Sequence, residues 1–271
     1  MASFDFDQAE GLRRMLAGPK PRIVTVLSVT PDEDKSSMLL NLSASMAQAG
    51  DDVLLLDARA TARSVGARLD VASHATLLDV ARQERALNEA IYGLPQGFCM
   101  ARLALTPDEE LTSDQGLRRR LSTAFGVLAR QKGIILIDGM LLDDDSFPLE
   151  AMADGDIVIQ LSSSAPAIKA AYALIKRLSS KLGLRSFSLL VTGAVDAEAQ
   201  VVFENIAKAA KRYLSVRLIS LGSVPTDEHV THAAKLGRAV IEAFPMAGAS
   251  VAFRRLAGQF TFPPSRASLG V

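Results

Sequence analysis

A mostly parallel, doubly wound α/β sheet is the fold this sequence predicts, and three observations predict it. Short β-branched apolar runs alternate with longer amphipathic stretches. The runs are almost continuously hydrophobic, as expected for strands covered on both faces. The chain has 271 residues, 49% of them hydrophobic, which is enough for one sizeable core. The expected strands are Ile23–Leu27, Val53–Leu56, Ile134–Ile137, Ile157–Ile159, Phe187–Val191 and Val216–Ile219. Between them, Leu39, Leu42, Met46 and Ala49 share one helix face, and Ile168, Ala171, Ile175 and Leu178 share another. Strand–helix alternation implies right-handed crossovers. Such sheets bind ligands at the carboxyl ends of their strands. Chemistry is therefore expected in the loops after Ser28, Leu56 and Ile137.

Composition narrows the class. Formal net charge is zero, which argues against a broad basic footprint for nucleic acid. The single cysteine, Cys99, permits no internal disulfide and fits a reducing compartment. The opening residues are acidic and lack the apolar core of a secretory signal. No apolar run approaches the roughly 18–20 residues that span a bilayer. A cytoplasmic location is the expectation.

Residues 1–21 read as a separate unit ahead of an α/β domain at 22–262, with a flexible tail at 263–271. Asp7 is a good N-cap, and Glu10 three residues on completes a capping-box pattern. Leu12, Met15 and Leu16 form an apolar stripe, and Gly18-Pro19 stops the helix. A helix of about three turns is too short to be stable alone. It must dock, on its own domain or on another protein.

The loop after the first strand occupies the place of a phosphate-binding loop. In a P-loop, glycines let backbone N–H groups wrap the phosphates, a lysine reaches them, and a Ser or Thr binds Mg²⁺. Here Ser28-Val29-Thr30-Pro31-Asp32-Glu33-Asp34 precedes Lys35-Ser36, and Val29 and Asp34 stand where glycines are required. Asp32, Glu33 and Asp34 fall where a triphosphate would lie. Each like-charge pair at ~5 Å costs about 1–3 kcal/mol, and Lys35 is expected to offset one of the three acids. As a plain helix start, Thr30 would be the N-cap, Pro31 the first helical residue and Glu33 the capping-box partner. Acids at a helix N-terminus satisfy the groups that phosphate would. The acidic loop thus reads as an internal stand-in for the nucleotide's anion.

With these residues in view, the chain resembles the FlhG (FleN, YlxH) flagellar-number regulators of the MinD/ParA-like P-loop NTPase superfamily. Asp7-Gln8-Ala9-Glu10-Gly11-Leu12-Arg13 matches the DQAxxLR motif that heads those proteins. Val53–Asp57 resembles their second strand with its terminal Asp, and Ile134–Gly139 their Walker B strand. Ala171–Lys176 resembles a family helix, Leu221–Asp227 a Gly-x-[IV]-Pro-x-Asp turn, and Pro245, Ser250 and Ala252 the run before the last helix. The resemblance implies a MinD/ParA-like fold and a partner-binding element at Asp7, Gln8, Ala9, Leu12 and Arg13 that stimulates an FlhF-type GTPase. It also implies a role in setting flagellar number and placement. A flagellar transcription activator and flagellar switch (C-ring) proteins are further implied partners.

The family's ATPase pattern is not kept. Thr30 replaces its signature lysine, Arg59 its water-orienting aspartate, Met140 falls in the stretch that lacks its switch glycine, and Leu190–Ala194 lacks its adenine-reading asparagine. Phosphoryl transfer depends almost wholly on positioning and charge stabilisation, so such losses leave little catalysis. Lys35, Ser36, Asp57 and Asp138 are the vestigial nucleotide-binding residues. No catalytic residue and no metal are expected, and no cofactor, with Mg-ATP the alternative if the pocket functions. In the leading helix, Gln8 is suited to orient a water in another active site and Arg13 to offset phosphate charge. Function is expected to rest on protein contacts. The alternatives are an ATPase cycling between monomer and membrane-associated ATP dimer, and an antiactivator of a flagellar transcription regulator. No direct contact with nucleic acid is expected, a dimer is allowed, and the prolines at 263–264 argue against an added membrane helix.

Other features read as ordinary structure. His229 and His232 are spaced like metal ligands but lack a supporting cluster. Asp143-Asp144-Asp145 reads as an exposed loop, Arg118-Arg119-Arg120 as a solvated helix face, and Cys99 as a buried inert thiol.

Overall fold

The computed structural model describes residues 21–59, 61, 64–69, 75–104 and 114–261. The expected leading helix with Asp7, Gln8, Ala9, Leu12 and Arg13, and the tail at 263–271, lie outside the described residues. Strand β1 (Arg22–Ser28) leads into α1 (Asp32–Gln48), β2 (Val53–Asp57), the short α2 (Val65–Arg68) and α3 (Leu77–Ala81). A 3-10 turn (Leu87–Ala90), β3 (Tyr92–Gly93), β4 (Cys99–Arg102) and α4 (Gln115–Ala129) follow. The rest is β5 (Ile134–Asp138), α5 (Ala151–Asp154), β6 (Asp156–Ser162), α6 (Ala165–Leu182), β7 (Phe187–Thr192), α7 (Asp196–Leu214) and β8 (Leu218–Val224). Helices α8 (Glu228–Lys235), α9 (Val240–Ala243) and α10 (Gly248–Thr261) close the described chain.

The strands form one eight-stranded sheet in the order β3-β4-β2-β5-β1-β6-β7-β8. Every pairing is parallel except β3 with β4. The chain leaves β1 toward β2 on one side and later returns to β6 on the other. The crevice where strand order reverses is therefore at the carboxyl end of β1. Alternate residues explain the unbroken hydrophobicity. Leu54, Leu56, Ile135, Ile137 and Ile159 face α3, α4, α6 and α7. Val24, Val26, Leu55, Leu136 and Val158 face α1 and α8 to α10.

Three elements differ from their expected extents. Helix α1 begins at Asp32, one residue after the expected first helical position at Pro31, and its acidic first turn precedes the apolar periodicity that starts at Met38. The strand expected at Val216–Ile219 begins at Leu218 and continues to Val224, with a register shift opposite Leu189–Val191 and Gly222 at φ +84°. Periodicity is broken there by the irregularity, so the strand and the following Pro225 turn read as separate features. The final helix, expected at Ser250–Phe260, spans Gly248–Thr261.

Side chains tie the layers together. Asn41 of α1 accepts a hydrogen bond from the Val240 N–H at 2.7 Å and donates to the Ser37 carbonyl. This supplies a partner for a backbone N–H at the start of α9, where the helix has no side-chain cap. Gln259 and Arg255 of α10 donate to the Leu221 and Ser223 carbonyls of edge strand β8, which blunts that edge.

Gly155, between α5 and β6, lies against β1: a Cβ there would sit 2.1 Å from the Ile23 carbonyl oxygen. Gly258 in α10 has open space around the same position. Gly155→Ala is expected to destabilise by about 1–3 kcal/mol through overpacking, lowering Tm by several degrees in calorimetry. Gly258→Ala should instead stabilise by roughly 0.4–1 kcal/mol.

Candidate functional site

Parallel pairing brings the expected site residues together. Asp57 ends β2, Asp138 ends β5, and the two are register partners on adjacent strands. Both are fully buried. Two carboxylates in that position need cations beside them. Lys35, from the second turn of α1, reaches in and places its Nζ 2.5 Å from Asp138 Oδ1. It also donates to the Gly139 carbonyl at 2.7 Å. Arg102, level with Asp57 at the end of β4, puts its Nε 3.6 Å from Asp57 Oδ2. That is a charge contact, too long for a hydrogen bond. Two acids and two bases balance in a nearly water-free setting.

The chain after β2 folds back onto these carboxylates. Asp57 Oδ2 accepts from Ser64 Oγ at 2.5 Å and from the Gly66 N–H at 3.0 Å. Asp57 Oδ1 accepts from the Arg59 N–H at 3.1 Å. The Val65 N–H reaches Asp138 Oδ2 at 3.4 Å. Gly66 is wedged in: a Cβ would lie 2.5 Å from Asp57 Oδ2 and 2.9 Å from Arg102 Nε. Burial pushes the Asp57 carboxyl above its usual range, with the Ser64 hydrogen bond acting against it. Burial pulls the Lys35 ammonium below its usual range, and Asp138 opposes that pull.

The loop itself corrects two expectations. Pro31, not Thr30, is the N-cap of α1, at φ −52° and ψ 148°, and it makes no side-chain cap hydrogen bond. Ser28 Oγ instead accepts from the Thr30 N–H at 3.0 Å and shares a hydrogen bond with the Thr30 hydroxyl, holding that hydroxyl on the strand side. Lys35 does not offset a loop acid, since its ammonium is held by Asp138. The cation that meets the loop is Arg59, whose guanidinium lies 2.7 Å from Asp32 Oδ1. Ser36 is fully buried, and its hydroxyl has no hydrogen-bond partner among the described residues. A cavity of about 240 Å³ remains, bordered by Leu27, Ser28, Asp32, Lys35, Arg59 and Gly139. Glu33, Asp34 and Ser37 of the same helix start line a larger groove of about 710 Å³ that runs along the carboxyl ends of β6, β7 and β8.

Arg102, Ser64 and Gly66 were not singled out by sequence reasoning. The signal for Arg102 is an arginine inside the apolar run that begins at Phe98, at the end of a strand. Ser64 and Gly66 left no signal, because only the folding of the chain brings them to Asp57. The other features find local partners. Asp227 caps α8 and accepts from the His229 N–H at 3.0 Å and the Ala249 N–H at 2.9 Å, with His229 Nδ1 at 2.7 Å. Asp144 pairs with Lys181 and Asp145 with Arg177, both on α6, so the acidic loop is tied down. Arg120 donates to the Ala81 carbonyl, while Arg118 and Arg119 are exposed. Cys99 is only half-buried, with its Sγ 3.5 Å from Lys132 Nζ, because β4 lies next to the outermost strand.

No protein-family model matches the chain. Antiactivator FleN of Pseudomonas aeruginosa is 29% identical over 238 residues, covering 86% of this chain and 85% of FleN. Among solved structures, the septum site-determining protein MinD complexed with Mg-ADP from Pyrococcus horikoshii OT3 superimposes with a TM-score of 0.63 at 21% identity, over 88% of this chain and 94% of that one. A ParA family ATPase from Chlorobium tepidum TLS gives 0.65 at 16% identity, over 89% and 100%. Over most of its length this chain is similar to the FleN antiactivator, and it is built on the MinD/ParA-type P-loop NTPase fold.

Proposed function

We propose that this protein regulates flagellar number and placement through protein contacts, with ATP hydrolysis lost. The observation that carries this reading is the state of Lys35: its ammonium is buried against Asp138 and the Gly139 carbonyl rather than free to meet a phosphate. The Arg59–Asp32 pair lines the same small cavity and ties Asp32 into the fold. No glycine lies between Ser28 and Ser37 to let the backbone wrap phosphates. These residues do not fit Mg-triphosphate. The Ser36 hydroxyl alone is suited to Mg²⁺, and it is the observation behind the alternative of a surviving ATPase.

In this reading the α/β domain is a rigid scaffold and residues 7–16 are its working element, directed at an FlhF-type GTPase. Gln8 would position the attacking water there and Arg13 would offset phosphate charge. The protein acts in the cytoplasm and is recruited to the cell pole. Among the described residues no helix is long and apolar enough to cross a membrane. A second target is a flagellar transcription activator, favoured by the 29% identity to a protein named as an antiactivator.

Calorimetric titration with Mg-ATP is expected to give no binding heat. Thermal melting should show no shift, whereas a ligand at 100 times its Kd would add about 2.7 kcal/mol. A melting shift that Lys35→Ala abolishes would instead establish the ATPase reading. In a GTPase assay with an FlhF-type protein, addition of this chain should raise the turnover rate, and Gln8→Ala should remove most of the rise. No stimulation by the unaltered chain would end the activator assignment while leaving the ATP result standing.

A further inference from the structure

At the amino end of the sheet, away from the cleft, one corner of the molecule is both basic and apolar. Helix α6 ends at Leu182 and the chain enters β7 at Phe187; α7 ends at Leu214 and the chain enters β8 at Leu218. The Phe187 N–H donates to the Arg217 carbonyl at 3.2 Å, so these two connections run side by side. Arg185 is turned inward onto the Ala153 and Gly155 carbonyls, while Leu184 beside it is 80% exposed. Tyr213 is 67% exposed, with the Arg212 guanidinium carbon 5.2 Å from its ring centroid. Ser215, at φ 56°, closes α7 and turns the chain toward β8.

The charge of this corner is one-sided. Lys211, Arg212 and Arg217 are exposed, and none of them pairs with a carboxylate among the described residues. No Asp or Glu occurs at 157–195 or at 205–226, the stretches that build the corner. The helix dipole accounts for Lys211 and Arg212 in a last turn. It does not account for Arg217, for the missing acids, or for a leucine and a tyrosine left in water. In a chain of zero net charge, such a corner is complementary to a segment that is acidic and apolar together.

This chain carries such a segment. Phe4-Asp5-Phe6-Asp7 alternates aromatic rings with carboxylates. The chain enters β1 at Arg22, which pairs with Asp156 at the same end of the sheet and donates to the Phe260 carbonyl. From β1 across β6 and β7 to β8 is about 14 Å. The expected helix at 7–16 is about 15 Å long, and residues 17–20 reach about 13 Å further. Residues 4–7 therefore come within range of the corner. Exposed ion pairs are individually weak, but a short tether holds the segment at an effective concentration on the order of millimolar. We infer that the corner formed by Leu184, Tyr213, Lys211, Arg212 and Arg217 is the docking site for residues 4–7 of this chain. Phe4 and Phe6 cover Leu184 and Tyr213, and Asp5 and Asp7 meet the cations. The consequence rests on the reading of residues 7–16 as the working element: docking holds Asp7 and Gln8 against the domain until a partner displaces them.

The test uses the full chain with Cys99→Ser and Ser3→Cys, so that one thiol carries a fluorescein label beside Phe4. Anisotropy then reports whether the segment turns with the body of the protein. It should be high at an ionic strength of about 0.01 M and fall to the level of a labelled peptide of residues 1–20 at about 1 M, as the Debye length shrinks from roughly 30 Å to 3 Å. Arg212→Glu with Arg217→Glu should shift docking about tenfold toward the free form, roughly 1.4 kcal/mol, with the melting temperature unchanged because both positions are exposed. Asp5→Lys alone should also release the label, and Asp5→Lys combined with the two glutamates should restore high anisotropy. Arg118→Glu on α4, in the other half of the sheet, should change nothing. Anisotropy in the unaltered chain equal to that of the peptide would overturn the assignment. So would high anisotropy that both charge reversals leave untouched, or no recovery in the combined variant. High anisotropy lost on tenfold dilution would reassign the corner to a second copy of the chain. Binding of the chain to phosphatidylserine vesicles that the two glutamates abolish, with anisotropy in solution unaffected, would reassign it to an anionic membrane. None of these measurements involves a GTPase, so their failure leaves the activator assignment untouched and its failure leaves them standing.

Discussion

Asp57 and Asp138 stand level on adjacent strands, fully buried, and two carboxylates so placed must be neutralised from within the protein. Lys35 and Arg102 supply that neutrality from opposite sides of the pair. Removing one partner of a buried ion pair typically costs about 3–5 kcal/mol. The arrangement therefore constrains more than itself. It sets how deeply the start of α1 is drawn toward β5, and it gives the chain after β2 its hydrogen-bond acceptors.

The same constraint bears on function. A lysine at the mouth of a phosphate-binding loop is useful when its ammonium is available to an incoming anion. Here the ammonium is already matched by a carboxylate and a carbonyl. A triphosphate would have to compete with both, beside Asp32, whose carboxylate pairs with Arg59. Changing any one of Lys35, Asp138, Asp57 and Arg102 would disturb the other three, because they are coupled by proximity.

On the α1–α8 side of the sheet the surface has a different character. Glu33 and Asp34 also edge the groove along α1, together with the loops after β7 and β8. Helix α1 is anchored at its buried face by Met38, Leu39, Leu42 and Met46.

How much of this was readable along the chain follows from how local each signal is. The alternation of apolar runs and amphipathic stretches declares a parallel sheet because burial on both faces removes the polar positions from each strand. The absence of glycine and the presence of Asp32, Glu33 and Asp34 are equally plain in one dimension. Local rules misassigned the cap, because the Thr30 hydroxyl has a competing partner in Ser28, within two residues, that a capping pattern does not anticipate. What only the tertiary structure decided is the matching of charges: Lys35 to Asp138 across 103 positions of chain, Arg59 to Asp32, and Arg102 to Asp57. Those choices depend on strand order and register, which place residues remote in sequence at the same height on neighbouring strands. A sequence carries the charges, but their partners exist only once the sheet is assembled.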